Sequence, residues 1–137
     1  MKRILLTLLI ACSALFVSAQ TADEYFSKKD FDKAASAYIQ ILKADSTNVA
    51  ALRRLAFCYL VSNTNEIQAG IYFEKALRLD PNDVASNYYL GVMAKNALKK
   101  DLTQQQRKSA INEAKRYFTK AASLGSDDAK SELLAMK

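Results

Sequence analysis

Histidine is absent from the 137 residues, so the commonest general base and the commonest metal ligand are missing together. No G-x-S-x-G, H-E-x-x-H, C-x-x-C or phosphate-cradling glycine loop occurs either. Glycine numbers three and proline one, which leaves few of the breakers that all-β folds place in their turns. With half of the residues hydrophobic, composition leans towards helix. The carboxylate pairs Asp23-Glu24 and Asp127-Asp128 fall at expected helix starts, where acidic residues favour the helix dipole. Asp80-Pro81-Asn82-Asp83 begins like a calcium loop but lacks the later glycine and bidentate glutamate, and reads as a turn. The expectation is a chain that is not an enzyme, with no metal, no cofactor and no small-molecule substrate.

The N-terminus is the one long apolar segment. Met1-Lys2-Arg3 precedes an apolar run from Ile4 to Val17, and Val17-Ser18-Ala19 supplies the small residues of a secretory cleavage site. The run is shorter than the roughly 18 to 20 residues that span a bilayer as a helix. Cleavage after Ala19 gives an exported protein, periplasmic or secreted. The alternative is that Leu9-Ile10-Ala11-Cys12, which resembles the lipobox of bacterial lipoproteins, is lipidated at Cys12, making the protein membrane-anchored. Against it, this would leave an apolar Ser13-Ala14-Leu15-Phe16-Val17 where a polar tether is needed. Loss of Lys2 and Arg3 with the leader leaves 18 basic against 14 acidic residues, a mild excess. Cleavage after Ala19 leaves Cys58 as the sole thiol, so no intramolecular disulfide is available and stability rests on packing. Cys58 lies inside Leu55-Ala56-Phe57-Cys58-Tyr59-Leu60 and reads as a small buried hydrophobe.

Self-similarity organises the rest. Asp45-Ser46-Thr47-Asn48-Val49-Ala50 recurs 35 residues later as Asp80-Pro81-Asn82-Asp83-Val84-Ala85. The same shift carries Ala34-x-x-x-Tyr38-x-x-Ile41-Leu42 onto Ala69-x-x-x-Phe73-x-x-Ala76-Leu77, and a third copy, Ala114-x-x-x-Phe118-x-x-Ala121-Ala122, follows after 45. Each copy has the helical period, with upstream partners Leu52, Leu55, Ala56 and Tyr59, then Tyr89, Leu90, Val92 and Met93. Small residues suit places where helix backbones approach closely, Gly91 among them, and aromatics fill the space between hairpins. Asn48 and Asp83 are expected N-caps. Gly125 is an expected left-handed stop, followed by Ser126 or Asp127 as the cap of a last short helix. The third unit stretches over 97–109, where Asp101-Leu102-Thr103-Gln104-Gln105-Gln106 replaces a tight turn.

A unit of about 34 residues, with Leu55-Ala56 and Tyr59 or Leu90-Gly91 in its first helix and the A-x-x-x-[YF] pattern in its second, resembles the tetratricopeptide repeat. The resemblance implies an all-α fold of antiparallel helical hairpins, stacked as a short right-handed superhelix (an α-solenoid) with a C-terminal capping helix. A single domain would cover 20–137, with units at about 20–48, 49–83 and 84–126 and the cap over 127–137, behind a signal peptide at 1–19. The first helix of the first unit is reduced to roughly Ala22 to Lys28.

Members of that family bind an extended peptide on a concave face lined by first helices. Matching slots here give Arg53, Phe57, Leu60 and Val61 from one unit and Tyr88, Val92, Lys95 and Asn96 from the next. These would form an apolar and aromatic surface with basic edges, suited to a protein or peptide partner. The competing reading is that Phe57 and Leu60 are covered by the preceding helix or the cap. The peptide-carboxylate clamp of some members needs an asparagine one turn after a basic residue, whereas Arg53 is followed by Phe57. Lys95, Lys99, Lys100, Arg107, Lys108, Lys115, Arg116 and Lys120 are opposed only by Asp101 and Glu113. The expectation is a solvated helix exterior rather than a nucleic-acid site. Two other roles stay open: a self-assembling subunit, a homo-oligomer through end stacking of repeats, and a non-catalytic subunit of an enzyme. Membrane contact is expected only with lipidation at Cys12.

Overall fold

The structure, a computed structural model, describes residues 20–62 and 65–136. Both readings of the leader, including Cys12, and part of the Ser62–Asn65 turn lie outside the described residues. All regular structure among the described residues is helical: α1 over 20–27, α2 Phe31–Ala44, α3 Val49–Val61, α4 Glu66–Leu79, α5 Val84–Ala97, α6 Gln104–Ser123 and α7 Asp127–Ala135. None of these helices is long and apolar enough to cross a membrane. Contacts group the chain into two compact units that divide within α4, between Ala69 and Gly70.

In the first unit, α2 packs on α3. Ala22, Ala34, Tyr38, Ile41, Leu52, Leu55, Ala56 and Cys58 are buried, so the small-and-large pattern of the sequence is the pattern of the core. Lys29, at φ 60°, takes the left-handed conformation that ends α1, and its neighbour Asp30 N–H returns to the Tyr25 carbonyl at 2.9 Å. Asp30 then caps α2 by accepting from the Lys33 N–H, and Asn48 caps α3 by accepting from the Ala51 N–H. The Cys58 thiol is 1 % exposed, and burial pushes its pKa up to about 11, which makes it inert as a nucleophile.

In the second unit, α5 packs on α6 and α6 on α7. Phe73 and Ala76 of α4 are fully buried, and the Phe73 ring stacks on Tyr89 of α5 at 5.5 Å. Ala94, Ala114, Phe118, Ala121 and Ala129 form one buried cluster from α5, α6 and α7. Gly91 lets the Phe118 ring lie against the α5 backbone: a Cβ there would stand 2.7 Å from Phe118 Cδ1 and Cε1. Gly125 closes α6 at φ 101°, and Ser126, not Asp127, caps α7. Asp127 and Asp128 occupy the first turn of α7, in the expected helix-start role.

Turn 80–83 is fastened by buried polar groups. Asp83 accepts from the Ser86 N–H at 2.7 Å, and the buried Asn87 amide donates to the carbonyls of Asp83 and Pro81 at 2.9 and 3.2 Å. Ser86 Oγ, fully buried beside them, has no hydrogen-bond partner. An unsatisfied buried hydroxyl carries its desolvation cost without return. Ser86→Ala is therefore expected to leave stability unchanged or raise it by up to about 1 kcal/mol in urea unfolding, whereas Asn87→Leu, which removes both side-chain bonds and leaves the Asp83 carbonyl only the Asn87 backbone N–H, should lower it by about 1 kcal/mol.

One sequence expectation changes. The extension in the third unit is not a loop through Gln106. Only 98–103 connects α5 to α6, because Thr103 and Gln106 form a reciprocal capping box that starts the helix at Gln104. Three glutamines after a threonine are good helix formers behind a cap. Asp23, the fourth described residue of α1, also accepts from Tyr38 Oη at 2.6 Å.

Candidate functional site

On α3 the helical period sends Leu52, Leu55, Ala56 and Cys58 into the core and leaves Arg53, Phe57 and Leu60 half-buried, with Val61 exposed. Phe57 meets Phe26 at 5.4 Å and Phe31 at 5.9 Å between ring centroids, and Phe26 meets Phe31 edge-on at 5.7 Å. The preceding hairpin thus covers part of Phe57, and three aromatic rings hold the α3 face in place. Arg53, Leu60 and Val61 remain partly or fully accessible beside it.

One polar group behind this face was not visible in the sequence. Arg54 Nη1 lies 3.2 Å from Asp23 Oδ1 and its guanidinium stands 5.1 Å from the centroid of the Phe26 ring. Arg54 also donates to Tyr38 Oη, which in turn donates to Asp23. Burial and the Asp23 carboxylate hold the Tyr38 phenol above the ordinary tyrosine range, so it stays a neutral donor. No local signal marks these partners, which come from α1, α2 and α3.

On α5, Tyr88, Val92, Lys95 and Asn96 are half-buried. Tyr88 sits 5.9 Å from Phe118, and both Tyr88 and Val92 pack against the α5–α6–α7 cluster. Lys95 is ion-paired with Glu132 of α7. Burial, with the Asp128 and Glu132 carboxylates in reach, raises the Tyr88 pKa. The capping helix therefore contributes two carboxylates, one turn apart, to the face the sequence reading had drawn as apolar with basic edges. Glu132 and Lys95 are 37 residues apart, beyond any helical period.

These faces offer aromatic and aliphatic area with fixed charges, which is chemistry for binding and orienting a chain. Among the described residues no group of three or more Cys, Asp or Glu gathers to hold a metal ion.

Residues 54–83 match the family model of the tetratricopeptide repeat. No curated protein matches the chain in sequence. Among solved structures, the first TPR of Spaghetti (RPAP3) bound to an HSP90 peptide is similar at 18% identity, covering 89% of this chain and 89% of that one, with a TM-score of 0.73. The Sgt2 TPR domain from Aspergillus fumigatus matches at 21% identity over 90% and 76% of the two chains, with a TM-score of 0.70. The second TPR domain of human RPAP3, in complex with an HSP70 peptide, matches at 21% identity over 87% and 91%, with a TM-score of 0.67. Residues 54–83 are thus matched as one tetratricopeptide repeat, and the chain has the fold of tetratricopeptide-repeat domains.

Proposed function

We propose that the protein is a non-catalytic scaffold of the cell envelope that binds a segment of a partner protein through its first helices. The observation that carries this reading is the α3 face: Arg53, Leu60 and Val61 stand accessible on a helix whose orientation is fixed from behind by the Phe26, Phe31 and Phe57 rings. Pre-organised apolar area with an arginine at its edge binds at low ordering cost. Two domains of similar fold are seen holding peptides of HSP90 and HSP70, which supports the class of partner and not its identity. Export rests on the leader, with lipidation at Cys12 as the alternative.

The test is capture from envelope extract by the chain starting at Gln20. Arg53→Glu with Leu60→Gln is expected to lose the captured proteins while circular dichroism and melting temperature stay those of the wild type. Unchanged capture by the folded variant overturns the reading.

A second reading, self-association, is favoured by Ile67 and Ile71, exposed one turn apart on α4. Light scattering that shows a strict monomer at high concentration removes it.

A further inference from the structure

The second unit has a recess of about 350 Å³ that shares no residue with the α3 and α5 faces. Its walls are Leu77 and Pro81 from the end of α4 and the following turn, Asn87 of α5, and Arg116, Tyr117 and Lys120 of α6. Arg116 and Lys120 are four residues apart, so α6 presents them one turn from each other on the same side. Like charges at this spacing weaken a helix, and among the described residues neither has an ion-pair partner, Glu113 included. No carboxylate lines the recess.

Arg116 is also pre-positioned. Its guanidinium lies 4.2 Å from the centroid of the Tyr117 ring, and that ring is itself buried and held by the core of the unit. A guanidinium held over a ring by cation–π attraction keeps N–H groups that can meet a carboxylate with two parallel hydrogen bonds. Lys120 adds a second, less directional charge. Leu77, Pro81 and the Tyr117 ring supply an apolar floor.

We infer that this recess is a docking site for an acidic peptide segment, with Arg116 taking one side-chain carboxylate in a bidentate pair, Lys120 the next, and an intervening apolar side chain resting on Leu77 and Pro81. Charge complementarity selects the occupant: two unpaired cations, no anion, and a planar fork suited to planar carboxylates. The site deepens the scaffold reading by naming a second surface and the chemistry of its partner, and it is separable from the α3 face.

The test uses the chain from Gln20 and a fluorescein-labelled peptide of alternating glutamate and leucine, followed by polarisation. Arg116→Gln with Lys120→Gln is expected to weaken binding at least about tenfold. Lys108→Gln with Lys115→Gln removes the same charge from elsewhere on α6 and should leave affinity within about twofold. Arg116→Lys keeps the charge but not the fork, and should fall between them. Equal loss in both double variants, or none in either, overturns the site. So does full displacement of the peptide by millimolar inorganic phosphate, which would mark a small-anion recess, or equally tight binding of oligothymidylate. Arg53→Glu is expected to leave this peptide's affinity unchanged, so failure of the α3 surface and failure of the recess read out separately.

Discussion

Phe118→Ala is expected to destabilise the second unit by about 3–5 kcal/mol, the usual range for removing a fully buried aromatic ring. The whole stability of a small domain is about 5–15 kcal/mol, so the variant should sit near its unfolding midpoint in little denaturant. The ring is wholly buried, is touched by Tyr88, and closes the cluster of Ala94, Ala114, Ala121 and Ala129. Those alanines cannot reach across the void that truncation leaves, so the site collapses poorly. Gly91 supplies the control. Gly91→Ala gains about 1 kcal/mol of helix propensity but drives its Cβ to 2.7 Å from the Phe118 ring, and overpacking of that kind costs about 1–3 kcal/mol. It should be neutral to destabilising alone and stabilising in the Phe118→Ala background. Urea unfolding of the two single variants and the double variant measures the coupling. Additive effects would mean that the ring does not rest on Gly91.

The second large effect belongs to Tyr38. Truncation to alanine removes a ring 2 % exposed that lies 6.3 Å from Phe26, together with the hydroxyl linking α2 to Asp23 and Arg54. A loss of about 3–5 kcal/mol is expected, as for other buried aromatic residues. Tyr38→Phe separates the parts. It keeps the ring and removes a hydrogen bond to a carboxylate that is half exposed and already paired with Arg54, so about 1 kcal/mol is expected. A cost for Tyr38→Phe close to that for Tyr38→Ala would show that the phenol network, and not the ring, holds α2 in the first unit.

The parts of the fold legible in the sequence are those governed by short spacings. In the repeated pattern Ala34, Tyr38 and Ile41, then Ala69, Phe73 and Ala76, then Ala114, Phe118 and Ala121 are buried, while the fourth member of each copy, Leu42, Leu77 and Ala122, is half-buried. Asn48, Asp83 and Gly125 stand in their expected cap and stop positions, because each needs only its own backbone and the next turn. Thr103 with Gln106 carried an equally local signal, a capping box, which was hidden by reading a run of polar residues as loop. What the sequence withheld is pairing between helices. Asp23 with Tyr38 and Arg54, Lys95 with Glu132, and the α4–α6 recess around Arg116 join residues at separations that no period predicts. For the same reason the face drawn through Tyr88 and Lys95 omitted the two carboxylates that α7 brings to it.

The cluster around Phe118 draws one of its five members, Ala129, from α7. Without α7 the α5–α6 hairpin would hold Phe118 with one wall of its pocket missing, and an apolar surface opened in that way invites association with other chains. A stop codon placed after Gly125 would create that exposure.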